Sequence, residues 1–179
     1  IIDKMEGNQS IPWQVASLIR LIIFTGCRKG EILSCQWRWI DIENSKIDFP
    51  DGSTKTGKKT VWLNDSAAQE IQQLHSRKIN RWLLPSRSPG KHITSPTKAW
   101  NKIITQCAAD ATNLKPAESE HVSPEKFSNL RIHDLRHTWA SLAINQGISL
   151  AIIAKALGHK SQRTTQRYAP LAANPVRDI

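Results

Sequence analysis

Apolar residues recur at helical spacing soon after the start of the chain. Val15, Leu18, Ile19, Ile22 and Ile23 fall at i, i+3, i+4, i+7 and i+8, which gives a helix one face for a core. Pro12 suits the first turn of that helix and Gly26 its C-terminal cap. A second short helix is predicted over 29–35, with Ile32 and Leu33 turned inward. The pattern then changes to short β-like runs. WIDI (39–42), KIDF (46–49) and TVWL (60–63) read as strands. Glu43-Asn44-Ser45 joins the first two, and TKTGKK, with Gly57 at its turn, leads into the third. Together they predict a small antiparallel sheet with a lysine-rich tip.

The helical pattern then returns. Asn64 or Asp65 caps a helix over 66–78, and Ser95-Pro96 opens another that runs to about Asp110. Residues 112–130 mix charges and prolines without periodicity and are expected to form a loop. Helices follow over 133–146, closing at Gly147, and over 150–157, closing at Gly158. A last short helix after Ser161 would carry Tyr168. The expected fold class is mainly α with a small three-stranded antiparallel β-sheet (α+β), as a single domain over 1–179.

Charge adds a partner to this picture. Lysine and arginine number 25 against 15 acidic residues, a net charge of +10 with pI near 9.9. Such an excess calls for an anion, and nucleic acid fits better than membrane because no basic amphipathic helix or apolar run of spanning length occurs. Cys27, Cys35 and Cys107 are odd in number and spaced like neither a zinc site nor a disulfide framework, so they read as reduced thiols of a cytoplasmic protein. No signal peptide is visible. The chain begins without methionine and reads as a fragment of something longer.

Candidate chemistry lies in four stretches. In RIHDLRHTWAS (131–141), His133 and Arg136 share a helix face near free backbone N–H groups, an arrangement suited to a phosphate diester. His133 and His137 stand at i, i+4, but no glutamate supplies the H-E-x-x-H pattern and Arg136 would repel a cation, so no metal is expected. In TGCRKGEIL (25–33), Arg28 stands at a helix start with Glu31 able to steady it. In TKTGKK (54–59), most lysines of such a tip are solvated, yet one ammonium can reach a groove and donate a proton. In LGHKSQRTTQRYAP (157–170), His159 follows a glycine turn, and Tyr168 is the only tyrosine of the chain. A phenol has a pKa of about 10, so at neutral pH its nucleophilic form lies roughly 4 kcal/mol uphill. Nearby cations and a general base both reduce that cost.

In this order the stretches T-G-C-R-K-G-E-I-L, K-T-G-K, H-D-L-R-H-T-x-A-S, L-G-H and the late tyrosine resemble the signature of the tyrosine recombinase (phage integrase) family. The intervals agree as well, 23 residues from Arg136 to His159 and 9 more to Tyr168. The resemblance spans about residues 10–170 and implies the catalytic-domain fold of that family. It implies that Tyr168 attacks a DNA phosphodiester, forming a 3′-phosphotyrosyl bond and freeing a 5′-hydroxyl without metal, nucleotide or other cofactor. Arg28 and Arg136 would clamp the non-bridging oxygens, His133 would act as general base or hydrogen-bond partner, and His159 would bond a phosphate oxygen. Lys55 aligns with the hairpin lysine that protonates the leaving oxygen, with Lys58 as fallback, and Glu31 supports the arginine. Lys58, Lys59, Lys160, Arg163 and Arg167 would contact the DNA backbone.

Double-stranded DNA is therefore the expected partner, for integration or excision of a phage or genomic island. A tetramer on DNA is expected of the full-length protein and a monomer of the isolated domain, with no membrane association. The resemblance implies an N-terminal DNA-clamping domain that residues 1–179 are not expected to include, and 11 residues follow Tyr168. Two alternatives stay open. Residues 148–168 also read as a helix-turn-helix of a DNA-binding regulator, and a type IB topoisomerase would share the chemistry while only relaxing supercoils. In the recombinase reading the phenol is expected to be exposed, so that it can reach a phosphate.

Overall fold

The computed structural model describes residues 1–2, 5, 8–112, 125–159 and 161–171. Helix α1 (Trp13–Thr25) forms where the apolar stripe predicts it and buries Val15, Leu18, Ile19, Leu21 and Ile22. Gly26 ends it in the left-handed region at φ +64°, its N–H donating to Ile22 O. Helix α2 (Lys29–Leu33) follows at once and is shorter than expected.

The three strands are β1 (Ile40–Asp41), β2 (Lys46–Phe49) and β3 (Lys59–Trp62). They form one antiparallel sheet in the order β1-β2-β3. The front of the first predicted strand is instead a 3-10 turn, Trp37–Trp39. Strand β3 begins one residue earlier than expected, and this matters for the site. Its register pairs Ile47 with Val61 and Phe49 with Lys59, so the period-two alternation turns Lys59 inward with Val61 while Thr60 and Trp62 face out.

Helix α3 (Asp65–His75) is capped by Asn64, whose side chain accepts from Ala67 N–H at 2.9 Å. Arg20 of α1 and Glu70 of α3 form an ion pair at 2.8 Å that ties the two helices. Helix α4 (Thr97–Thr112) runs slightly past its predicted end. The expected loop over 112–130 contains a short helix, α5 (Glu125–Ser128), and its residues 113–124 lie outside the described set.

Helix α6 (Asp134–Asn145) and helix α7 (Leu150–Leu157) complete the predicted pattern. Beyond α7 the expected terminal helix is replaced by two 3-10 turns, Gln162–Thr164 and Gln166–Leu171. Pro170 lies in the second and is incompatible with a continuing α-helix. A recognition helix would have to lie here, so the described residues do not form a helix-turn-helix.

The main core joins α1, the inner face of the sheet, α3 and α4 through residues such as Leu18, Ile22, Ile47, Phe49, Ile71 and Ile103. A smaller core joins α6, α7 and the last 3-10 turn: Ala140, Ala143, Ile144, Ile153, Leu157 and the ring of Tyr168. The two meet where α1 packs on α6, with Trp139 over Gly26. Cys27, Cys35 and Cys107 are buried free thiols.

Candidate active site

Arg136 sits in the first turn of α6 and is buried, with 3% of its surface exposed. Its guanidinium donates from Nη1 to Gly26 O and from Nη2 to Leu157 O, each at 2.5 Å. Both carbonyls stand at helix C-termini, where the last C=O groups lack intrahelical partners and the dipole is negative. The side chain thus joins the ends of α1 and α7. Arginine has five N–H donors, and the other three remain for an anion. Burial lowers the Arg136 pKa, and Arg28 nearby adds to the effect. The pocket already collects positive charge and would gain from an anionic occupant.

Arg28 opens α2. Its backbone N–H donates to Glu31 Oε2 at 2.9 Å, and its Nη1 donates to Glu31 Oε1 at 2.8 Å. Its Nη2 reaches Gly158 O at 3.4 Å. Glu31 also accepts from Lys59 Nζ at 2.9 Å, with both side chains almost fully buried. Burial alone would raise the Glu31 carboxyl, but Lys59 and the hydrogen bonds from Arg28 hold it below the ordinary carboxylate range. One carboxylate therefore orients both a guanidinium and an ammonium at the sheet edge of the site. Gly158 closes α7 at φ +64°. A Cβ there would lie 3.2 Å from Thr56 Oγ1 and 3.6 Å from the Lys59 stem, so the β2–β3 hairpin leans on this turn.

Three histidines and the tyrosine form the other wall. His159, just after Gly158, shares a 2.7 Å hydrogen bond between Nδ1 and Oγ1 of buried Thr165. Burial lowers its pKa to about 4, with Arg136, Arg28 and Arg167 contributing, so the ring is neutral at neutral pH. His133 enters α6 with its ring edge-to-face on His137, centroids 5.0 Å apart. Burial and the nearby Arg136 lower its pKa too. His137 Nδ1 is hydrogen-bonded to the Tyr168 hydroxyl, with ring centroids 5.9 Å apart. Burial raises the pKa of the phenol, while Arg167 and Arg136 pull it back down.

Arg28, Glu31, His133, Arg136, His159 and Tyr168, separated by up to 140 positions in the chain, thus come together through α2, α6, the α7 cap and the last 3-10 turn. Lys55 and Lys58 stand exposed on the hairpin, and Arg163 and Arg167 are exposed on the 3-10 turns. Lys160 lies outside the described residues.

Two expectations need correcting. Tyr168 is not exposed: 4% of its surface is accessible, because its ring fills the smaller core and its hydroxyl is held by His137. Lys59 is not free for DNA backbone either, because strand register turns it inward onto Glu31. Sequence reasoning also missed His137 as the partner of the phenol. The sequence offers only a partial signal for each: His137 lies one turn beyond His133, and Lys59 stands two places before the apolar Val61, but neither spacing names the partner across the fold. Among the described residues no group of three or more His, Cys, Asp or Glu is placed to hold a metal ion.

The model of the family described as "Phage integrase family" matches residues 1–174. The integrase of Salmonella phage P22 is 27% identical over 160 residues, covering 88% of this chain and 39% of the relative. The tyrosine recombinase XerA of Saccharolobus solfataricus is 31% identical over 162 residues, covering 90% and 47%. The chain therefore spans less than half the length of these two curated relatives. Among solved structures, the Tn1549 transposon integrase in complex with circular intermediate DNA aligns with TM-score 0.70 at 16% identity, covering 99% of this chain and 60% of that one. The catalytic domain of bacteriophage HP1 integrase aligns with TM-score 0.63 at 19% identity, covering 99% and 85%. The fold is that of a tyrosine recombinase catalytic domain, and with the match over residues 1–174 the chain belongs to the phage integrase family.

Proposed function

We propose that this chain is the catalytic domain of a site-specific DNA recombinase, which cuts and rejoins duplex DNA through a 3′-phosphotyrosyl link to Tyr168 and serves integration or excision of a phage or genomic island. The observation that carries the reading is the convergence of Arg28 and Arg136 on the α7 cap turn, beside His159 and facing the Tyr168 hydroxyl wall.

In the reaction, a phosphodiester sits against the free donors of Arg136 and Arg28. These match the charge that develops on its non-bridging oxygens, a task for donors fixed before the reaction begins. Neutral His159, oriented by Thr165, donates a further hydrogen bond to a phosphate oxygen, and His133 offers another. Tyr168 Oη attacks phosphorus as the P–O5′ bond breaks, and its proton passes to a base. The departing 5′-oxygen takes a proton from a hairpin lysine. Lys55 is our candidate, with Lys58 next, since Thr56 beside it approaches the Gly158 turn while Lys59 is committed to Glu31. Rejoining runs the same steps backwards. Phosphate charge elsewhere on the duplex meets Lys58, Lys160, Arg163 and Arg167. Four copies of the whole protein assemble on paired sites, and the isolated domain is a monomer.

A duplex nicked to trap the cut state supplies the test. The wild-type chain should yield a protein–DNA adduct that survives SDS, and Tyr168→Phe should bind the duplex yet yield none. An adduct formed by the phenylalanine variant would exclude Tyr168 as the nucleophile. On substrates with two sites, relaxed circles without recombinants would assign the chain to topoisomerase chemistry instead.

A further inference from the structure

We propose that His137, not His133, takes the proton from the attacking phenol. This rests on Tyr168 being the nucleophile, as argued above. Oη of Tyr168 is bonded to His137 Nδ1, and the ring of Tyr168 is wedged among Ala140, Ile144, Ile153 and Leu157, which fixes where the hydroxyl points. The His133 ring packs edge-to-face with the His137 ring, their centroids 5.0 Å apart.

The surroundings keep His137 ready to accept. On its own helix it faces His133, Asp134 and Arg136, and from the last 3-10 turn Arg167 and Tyr168; His159 of the α7 cap is within electrostatic reach. Burial and the neighbouring positive groups outweigh Asp134 and favour the uncharged ring. With its proton on Nε2, that ring presents a lone pair at Nδ1 to the phenolic O–H. The step balances: the Oη–H bond breaks toward Nδ1, the Oη–P bond forms, the P–O5′ bond breaks, and the separate hairpin acid protonates the 5′-oxygen. On rejoining, His137 returns the proton to the departing phenolate. His133 is then left to face the phosphate.

The proposal distinguishes a base from a hydrogen bond that merely parks a buried hydroxyl. Single-turnover cleavage of the nicked duplex would be followed from about pH 5 to 8, the range in which a histidine changes charge. Wild-type cleavage should rise with pH along a limb whose midpoint lies below the ordinary histidine value. His137→Gln can accept the hydrogen bond but cannot take the proton. It should cleave about 10²-fold slower and lose that limb, and added imidazole should partly restore His137→Ala. His133→Gln should be slower but retain the limb. The proposal is overturned if His137→Gln keeps the wild-type rate and profile, if glutamine rescues the loss seen with alanine, or if His137→Ala cleaves faster than wild type. A Tyr168→Phe variant run alongside separates the two levels: an adduct from that variant removes the nucleophile assignment itself, whatever His137 does.

Discussion

Arg136 performs two tasks with one guanidinium. It satisfies the ends of α1 and α7, and in the proposed reaction its remaining donors meet the phosphate. A lysine has a single compact ammonium and cannot span both carbonyls and a phosphate. Arg136→Lys should therefore cleave at least about 10²-fold more slowly and, with a buried carbonyl left without its donor, unfold about 1–3 kcal/mol more easily in denaturant. Arg28→Ala should show a comparable loss of cleavage, and near-normal cleavage by either variant would remove that residue from the phosphate-binding role. His159 links the site to pH. Its folded value of about 4 lies below the unfolded value of about 6.5, so between these limits only the unfolded chain holds the proton. The contribution of this residue is fully present above about pH 6.5 and is lost as pH falls toward 4. Replacing His159 by Asn should flatten the stability profile across that window, as read from melting temperature against pH.

At the level of elements, two left-handed glycines decide how closely the helix ends approach the site. Gly26 faces the Trp139 ring, where a Cβ would lie at 2.7 Å, and Gly158 faces Thr56 at 3.2 Å. Gly52 has a similar φ of +76° with nothing within 4 Å. Alanine at any of the three meets the left-handed penalty of roughly 1–2 kcal/mol. Overpacking adds about 1–3 kcal/mol where the ring cannot move. Melting temperatures should therefore fall most for Gly26→Ala, less for Gly158→Ala and least for Gly52→Ala. A flat series would mean that Trp139 yields freely. These elements also show what could be read from sequence. The α1 stripe, the caps at Gly26 and Gly158 and the three short strands were legible because each is set by local periodicity and turn chemistry. The direction of Lys59 was not, since it follows from which residue of β3 opposes Phe49. Pro170 gave a local warning against a terminal α-helix, but the packing of the 3-10 turns on α6 and α7 is a contact that no local pattern encodes. The site residues could be listed from their motifs, but the pairing of Tyr168 with His137 is a long-range packing result.

For the whole molecule, the net charge of +10 makes affinity for a polyanion a matter of counter-ion release. Binding to duplex DNA should weaken steeply with salt, log K falling linearly with log salt concentration. Arg163→Ala and Arg167→Ala should each reduce the slope by about 1, and titrations at several salt concentrations read this directly. An unchanged slope would place these exposed arginines away from the phosphates. The smaller core has a consequence of its own. It holds few side chains, and one of them is the ring of Tyr168, which in the proposed reaction presents its oxygen to DNA. If the attack requires that ring to shift, the terminal segment gives up packing each time the enzyme works. Amide hydrogens along 161–171 should then exchange with solvent far sooner than those of α1, and a substitution that anchors this segment more firmly would yield a protein that is harder to melt and slower to cut.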